Sequence, residues 1–154
     1  MPKERKIKDE WFSWFFEVDD WEAYYGFGTN QGIYRNNDWE FISYYQRLSI
    51  ILKGKIGELP DRLKISEAKD IELKIYSRYD LNEDKERSFI GLIDDMKDCI
   101  RINLFLPKEA CDFILGMLNS NKVRYAVLSS NKLRYKSGIV TRFNLLTNLD
   151  PDEF

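Results

Sequence analysis

Histidine is absent from this chain of 154 residues. Without it the protein cannot use a Ser-His or Cys-His nucleophile, a histidine metal ligand or an imidazole base, which is the commonest general base in enzymes. Neither GxxxxGK[ST] nor GxGxxG occurs in the sequence, so no phosphate-binding glycine loop is expected. These absences favour a non-enzymatic protein that has no cofactor.

Cysteine is scarce, and the two that occur, Cys99 and Cys111, lie among apolar residues. They lack the spacing of a zinc site and are too few for a disulfide framework, so we expect them to be small core residues. No run approaches the ~20 apolar residues that span a bilayer. The aromatic run that begins at Trp11 is too short for a signal peptide and is soon followed by acids. We therefore expect a cytoplasmic protein that does not bind membranes.

Charge is nearly balanced overall, and the net charge of −2 gives no general attraction for nucleic acid. Its distribution is uneven, because six acids and no base lie between Asp9 and Tyr34, whereas six bases and no acid lie between Phe113 and Leu149. Either these two regions complement each other in the fold, or the second forms a basic face for an anionic partner. The candidate residues of that face are Arg124, Lys132, Arg134, Lys136 and Arg142.

The arrangement of the basic residues disfavours nucleic acid as the partner. If residues 132–136 form a strand, their three basic side chains project from one face and Tyr135 projects from the other. Binding of single-stranded nucleic acid requires basic and aromatic groups on the same face.

Aromatic residues are concentrated in one stretch, since residues 11–45 contain 14 of the 23 aromatic residues and all four tryptophans. So many rings cannot easily all be buried, because each aromatic side chain that lies in a core removes roughly 150–250 Å² of its surface from water. An aromatic surface with little lysine is typical of protein–protein interfaces. Three interpretations stay open: a satellite core over the sheet, a protein interface including homodimerisation, or a site for a glycan or small ligand. The candidate binding residues are Trp11, Trp14, Trp21, Tyr24, Tyr25 and Trp39.

Periodicity predicts about seven strands. The spacing of Trp11, Trp14 and Val18 favours a helix through about Val18, and the glycines and asparagines of residues 26–38 predict a loop or hairpin. Alternation of apolar residues predicts strands at 39–58 (one or two strands), 71–76, 89–96, 99–106, 123–128, 132–136 and 139–147. Turns are predicted at 97–98, 129–131 and 137–138.

One helix is predicted near residues 107–119. It is expected to begin at Pro107, where the missing N–H costs nothing, and to end at residues 119–121. The apolar stripe that is expected to face the core consists of Ala110, Phe113, Ile114, Met117 and Leu118.

These elements predict a mainly β (β-rich α+β) fold, an antiparallel sandwich or open barrel of about seven strands with one helix and an aromatic N-terminal segment. Short connections favour antiparallel pairing. The chain is expected to form a single domain, residues 1–154, with loose tails at 1–8 and 150–154. Residues 42–146 alone account for an antiparallel domain, so the N-terminal aromatic segment is expected to be an addition to it.

One motif is typical of an enzyme. Pro60-Asp61, ten further residues and then Glu72-Leu73-Lys74 resembles the PD-(D/E)xK nuclease motif. The resemblance implies that Asp61 and Glu72 hold a divalent cation and that Lys74 polarises the attacking water. Alternation places Glu72 and Lys74 on one face of a strand, which is also the pattern on the solvent face of any half-buried strand.

Three functions follow as hypotheses. The first is a non-enzymatic protein-binding or accessory domain that uses residues 11–45 to bind a protein partner or a second copy of itself. The second is a metal-dependent nuclease, and the third is a carbohydrate- or small-ligand-binding β domain.

Overall fold

A computed structural model describes residues 11–29, 44–56, 70–78, 89–131 and 133–148. Several predictions concern other parts of the chain and lie outside the described residues: the two tails, most of the loop at 26–38, and the side chains of Trp39, Asp61 and Lys132.

The structure consists of seven strands and one helix. Their bounds are β1 (Trp11–Thr29), β2 (Tyr44–Ile56), β3 (Asp70–Arg78), β4 (Gly91–Asp95), β5 (Cys99–Pro107), α1 (Lys108–Asn119), β6 (Tyr125–Asn131) and β7 (Ser137–Leu146). The prediction of a mainly β fold with about seven strands and one helix is confirmed. The described residues contain no helix with the length and apolar character of a membrane span.

The strands form a closed barrel in the order β1-β2-β3-β5-β4-β7-β6, and β6 pairs with β1 to complete it. The sheet is mixed, because β3 and β5 run parallel whereas the other neighbours are antiparallel. Arg78 pairs with Pro107 and Gly91 pairs with Leu104, so β3 ends and β4 begins at the same end of the barrel. A short turn then connects β4 to β5, which lies between β3 and β4 and runs antiparallel to β4. Strands β3 and β5 are therefore parallel without a long crossover along the barrel.

The interior of the barrel is filled by the inward residues of every strand. On β3 the alternation of Ile71, Leu73 and Ile75 with polar neighbours places the three apolar side chains in the core. The largest fully buried side chains are Trp14, Phe16, Ile50, Leu52, Ile71, Leu73, Ile75, Ile93, Ile100, Ile102 and Leu104. The interior of the barrel is therefore a packed core, as far as the described residues show.

Helix α1 follows β5 directly and packs against β2, β3 and β5. Its predicted position is confirmed, with Pro107 as the residue before the first turn. Its buried side chains are Cys111, Ile114 and Leu118. The predicted stripe is wrong at Phe113, which is 76% exposed. The buried face of the helix is centred on Cys111, and Phe113 points away from that face.

The prediction of a helix through Val18 is wrong, since residues 11–29 form one long strand. Helical spacing was misleading because Phe12, Trp14 and Phe16 alternate just as well, and paired strands lie on both sides of this segment. Trp14 and Phe16 are buried in the barrel core. The segment is therefore the strand that closes the barrel, and the prediction that it is an addition to a complete domain is also wrong.

The predicted turn at 129–131 and strand at 132–136 are likewise wrong. Strand β6 continues to Asn131, and the reversal occurs at Tyr135 and Lys136, which have φ of 50° and 65°. Two backbone hydrogen bonds between Arg134 and Ser137 hold this two-residue turn. A hairpin turn with two positive φ values usually contains Asn and Gly, so Tyr-Lys gives no signal of it in the sequence.

Candidate protein-interaction site

Strand β1 changes partner along its length. Residues 11–17 pair with β6, whereas residues 16–29 pair with β2. The last bond to the β6 side is donated by the N–H of Val18 to the carbonyl oxygen of Arg124 at 2.8 Å. A bulge follows between Val18 and Asp20. Beyond it, within the described parts of the chain, no strand pairs with this edge of β1.

We call residues 20–29 of β1, together with residues 44–53 of β2 to which they pair, the arm. The pairing of β2 with β3 ends at Ser49. The pairing of β1 with β2 continues further, to Thr29 opposite Tyr44 at the outer end of the arm. Among the described residues, the tip of the arm is therefore a two-stranded ribbon.

Three large aromatic side chains are exposed on the arm. Tyr24 is 59% exposed, Tyr25 is 65% exposed and Phe27 is 58% exposed. Alternation places Tyr24 on the outer face, where its hydroxyl donates to Oε2 of Glu22 at 3.3 Å, and places Tyr25 and Phe27 on the inner face. Both faces of the ribbon thus carry exposed rings.

The bulge explains why these rings are exposed. Before it, even-numbered residues such as Trp14 and Phe16 point into the core, and after it the inward face passes to odd-numbered residues. Trp21 is the last of these that packs against the core, since Ala23 is already exposed. Tyr25 and Phe27 continue the inward face beyond the part of β1 that packs against the core, and both are more than half exposed.

The predicted aromatic binding residues divide into two groups. Trp14 is buried, and its indole N–H donates to Oγ of Ser130 at 2.8 Å, while Trp21 is half-buried against the core. Trp11 is 47% exposed, but it lies at the opposite end of β1 from the arm. Among the predicted aromatic binding residues that the structure describes, Tyr24 and Tyr25 are the ones exposed on the arm.

Phe27 belongs to this surface and was missed by the sequence prediction. It lies two residues after Tyr25 and so shares its face, but its position between Gly26 and Gly28 predicted a loop instead of a strand.

The main chain of the arm also has an edge that faces away from β2. The N–H of Trp21 donates to Oδ1 of Asp20 at 2.8 Å, so this donor points away from the neighbouring strand. Because backbone groups alternate along an antiparallel strand, Ala23 and Tyr25 turn their N–H and C=O groups to the same side. The exposed rings and this backbone edge therefore occur in the same few residues.

A second apolar surface lies between α1 and β7. It is a groove of about 610 Å³ with Phe113 and Met117 on the helix and Phe143 and Leu145 on the strand. Within the described residues, β7 beside the groove pairs with β4 only as far as Val140, and the groove has one strongly exposed ring, Phe113, against three on the arm.

The basic residues do not form one face. Arg124 immediately precedes β6, whereas Arg134 and Lys136 lie in the turn that follows β6, so they are at opposite ends of that strand. Arg142 is exposed on β7, opposite Ser129. The described members of the predicted anionic site are thus distributed along the barrel.

The nuclease-like pair Glu72 and Lys74 lies on the outer face of β3, and its Nζ and Oε1 atoms are 3.5 Å apart. Glu72 is opposite Lys53 on β2 and opposite Arg101 on β5. The same row continues to Asp20 on β1 and Asp94 on β4, so acids and bases alternate across five neighbouring strands. Alternating charge of this kind is the ordinary way in which cross-strand neighbours are stabilised.

This environment is unfavourable for a cation, because three basic residues surround the Glu72 carboxylate. Within the described residues no three potential metal ligands come together. The position of Asp61, the other proposed ligand, lies outside them.

The buried thiol is also unsuited to catalysis. Burial, reinforced by the negative charge of Asp112, raises the pKa of Cys111 to about 11. A thiol is nucleophilic only as the thiolate, so Cys111 is inert at neutral pH and is a core residue, as predicted.

Comparison with protein-family models, with curated proteins and with solved structures finds no match for this chain.

Proposed function

We propose that this barrel is a non-enzymatic protein-binding domain and that the arm is its contact surface. The observation that supports it most is the coincidence, within residues 21–27, of three exposed aromatic side chains and a strand edge. Tyrosine and phenylalanine are the side chains that contribute most contact area at protein interfaces. A strand edge adds main-chain hydrogen bonds, which another polypeptide can satisfy by joining the sheet.

The charge of the β1 strand of the arm favours a polypeptide over a nucleic acid. Asp20 and Glu22 precede the exposed rings, and from Trp21 to Phe27 there is no basic residue, while Nζ of Lys53 on the paired strand lies 3.5 Å from Oε1 of Glu22. Carboxylates at this position repel phosphates, whereas a protein strand can place its own polar groups opposite them. A cytoplasmic location fits the two thiols, both of which are free cysteines.

The proposal can be tested by replacing the three exposed rings together. The variant Tyr24→Thr, Tyr25→Thr, Phe27→Thr keeps the β-propensity of the strand while removing the apolar contact area. Phe113→Thr, on the helix groove, is the matched control because it removes an equally exposed ring elsewhere. Each tagged protein is used for quantitative affinity purification from an extract of the source cells.

The expected result is a set of proteins that the wild type and the Phe113→Thr control retain and that the arm variant loses. Retention of the same proteins by all three, at equal folded concentration, would overturn the proposal.

A further inference from the structure

We propose that the partner of the arm is a second copy of this chain, joined by antiparallel pairing of the two β1 edges. This inference rests on the proposed function of the arm as a contact surface, and it specifies the partner. Two copies related by a twofold axis would form a continuous sheet in the order β2-β1-β1-β2 across the interface.

The residues of the edge itself carry few of the features that protect a strand edge. Natural sheets guard an open edge with lysine, proline or a bulge. The bulge of β1 lies at Val18–Asp20, before the edge begins, and from Trp21 to Phe27 there is neither lysine nor proline. Glu22 is the single charge in that range. Ala23 and Tyr25 present backbone groups to the edge, and no described strand is paired with them.

The sequence of the edge is self-complementary when the twofold axis passes through Tyr24. Ala23 then lies opposite the partner's Tyr25, and Trp21 lies opposite the partner's Phe27. Ala23 and Tyr25 turn their backbone groups to the edge, so this pair has the correct hydrogen-bonding phase, whereas the N–H of Trp21 would have to exchange its bond to Oδ1 of Asp20 for one to the partner. A small side chain meets a large one, and an aromatic residue meets another, which are favourable cross-strand combinations.

The same register also keeps the acidic residues of the two copies from lying opposite each other. Glu22 lies opposite the partner's Gly26, and Asp20 lies opposite the partner's Gly28, so no carboxylate is directly across from another. If the axis passed through Glu22 instead, the two Glu22 carboxylates would be adjacent, and like charges in directly opposed positions are destabilising. The segment has acids before Tyr24 and glycines at the matching positions after it, so an axis at Tyr24 places each acid opposite a glycine.

The first experiment measures the oligomeric state of the full chain by sedimentation over a wide range of concentration. The wild type is expected to show a reversible monomer–dimer equilibrium. Tyr25→Pro removes an N–H that faces the edge, and symmetry removes it twice, so the dimer dissociation constant is expected to rise at least about tenfold. Tyr25→Thr is the matched control, because it removes the ring but keeps the N–H, and it is expected to have a smaller effect. Thermal unfolding checks that both variants are folded.

The second experiment tests the register by disulfide formation. Tyr24→Cys, in a Cys99→Ser background, places two thiols next to each other on the twofold axis, within the distance that a disulfide requires. It is expected to form a covalent dimer on mild oxidation. Glu22→Cys in the same background lies opposite Gly26 and is expected to form much less.

The outcomes separate this inference from the proposed function. A wild type that stays monomeric at every concentration, or equal cross-linking of Tyr24→Cys and Glu22→Cys, would overturn the self-pairing. If other proteins are then still lost with the triple threonine variant, the arm is an interface for a different partner and the proposed function stands. A dimer that is insensitive both to Tyr25→Pro and to the triple variant would also overturn the self-pairing, and it would contradict the proposed function as well if the triple variant retained the same proteins as the wild type.

Discussion

Gly54 lies where β1 passes close to the backbone of β2. A Cβ atom added there would overlap the carbonyl oxygen of Glu17 and approach the Phe16 ring to 2.8 Å, and backbone cannot easily give way. Gly54→Ala is therefore expected to lower the free energy of unfolding by at least about 2 kcal/mol, as overpacking does. The measurement is urea denaturation.

Gly116 on α1 supplies the control for that substitution, since a Cβ atom there meets nothing within 4 Å. Gly116→Ala is expected to raise the stability by about 0.5–1 kcal/mol through helix propensity. Equal effects of the two substitutions would contradict the close approach at Gly54.

Ser130 is a fully buried polar residue, and its hydroxyl accepts the indole N–H of Trp14. Ser130→Ala would leave that buried donor without a partner, so it is expected to cost about 1–3 kcal/mol. Ser129→Ala, one residue earlier and half-buried on the outer face, is expected to cost less than about 0.5 kcal/mol. Calorimetric unfolding of the two variants distinguishes them, and a cost at Ser129 as large as that at Ser130 would count against the role of the buried bond.

Cys111 links stability to pH. The folded protein holds the thiol proton up to a pKa of about 11, whereas the unfolded chain releases it near the ordinary thiol pKa of 9.0. Between these values the unfolded state binds fewer protons, so the stability contributed by this group is complete below pH 9 and falls as the pH rises towards 11. Cys111→Ala is expected to remove this part of the decline and Cys99→Ala to retain it, as measured by denaturation at each pH. Parallel pH profiles for the wild type and Cys111→Ala would disprove the link.

At the scale of elements, α1 shows how two neighbouring residues differ in their contribution to stability. Ile114 is buried against the barrel, whereas Phe113 points to solvent. Ile114→Ala is expected to cost about 2–5 kcal/mol, in line with other buried isoleucines, and Phe113→Ala is expected to change stability by less than about 0.5 kcal/mol. Chemical denaturation of both variants is the test, and a large cost at Phe113 would place it in the core that the sequence predicted.

Some elements could be predicted from the sequence because one periodicity dominates. On β3 the residues Ile71, Leu73 and Ile75 share one face, on β5 Ile100, Ile102 and Leu104 do so, and Pro107 marks the start of α1. Strand β1 could not be predicted, because its closely spaced aromatic residues satisfy helical and strand spacing equally well. The turn at Tyr135 and Lys136 lacks the usual glycine, so it too left no signal.

The candidate site was predicted in part for a related reason. The sequence identifies Tyr24 and Tyr25 as aromatic, but whether a ring is buried depends on the bulge at Val18–Asp20, which changes the face that points inward. The alternating row of charges that includes Glu72 depends on the register of five strands, and register is a property of the whole sheet.

At the scale of the whole molecule, the barrel requires β1 for closure. A fragment that begins at residue 42 would lose Trp14 and Phe16 from the core and expose the paired edges of β2 and β6. We expect this fragment to show no cooperative thermal transition, whereas the full chain shows one. A cooperative transition and dispersed amide resonances for the fragment would mean that residues 42–154 are a domain by themselves.

Barrel closure also determines when the protein can fold during its synthesis. Phe16 pairs with Ala126, so the closing partner of β1 is made more than a hundred residues later. At about 5–20 residues per second, translation leaves an interval of roughly 5–25 s in which β1 has emerged and β6 does not yet exist. Trp14 and Phe16 are exposed to water for that time, which makes the nascent chain a substrate for chaperones that bind apolar segments. The barrel of this protein therefore cannot close before β6 has been synthesised.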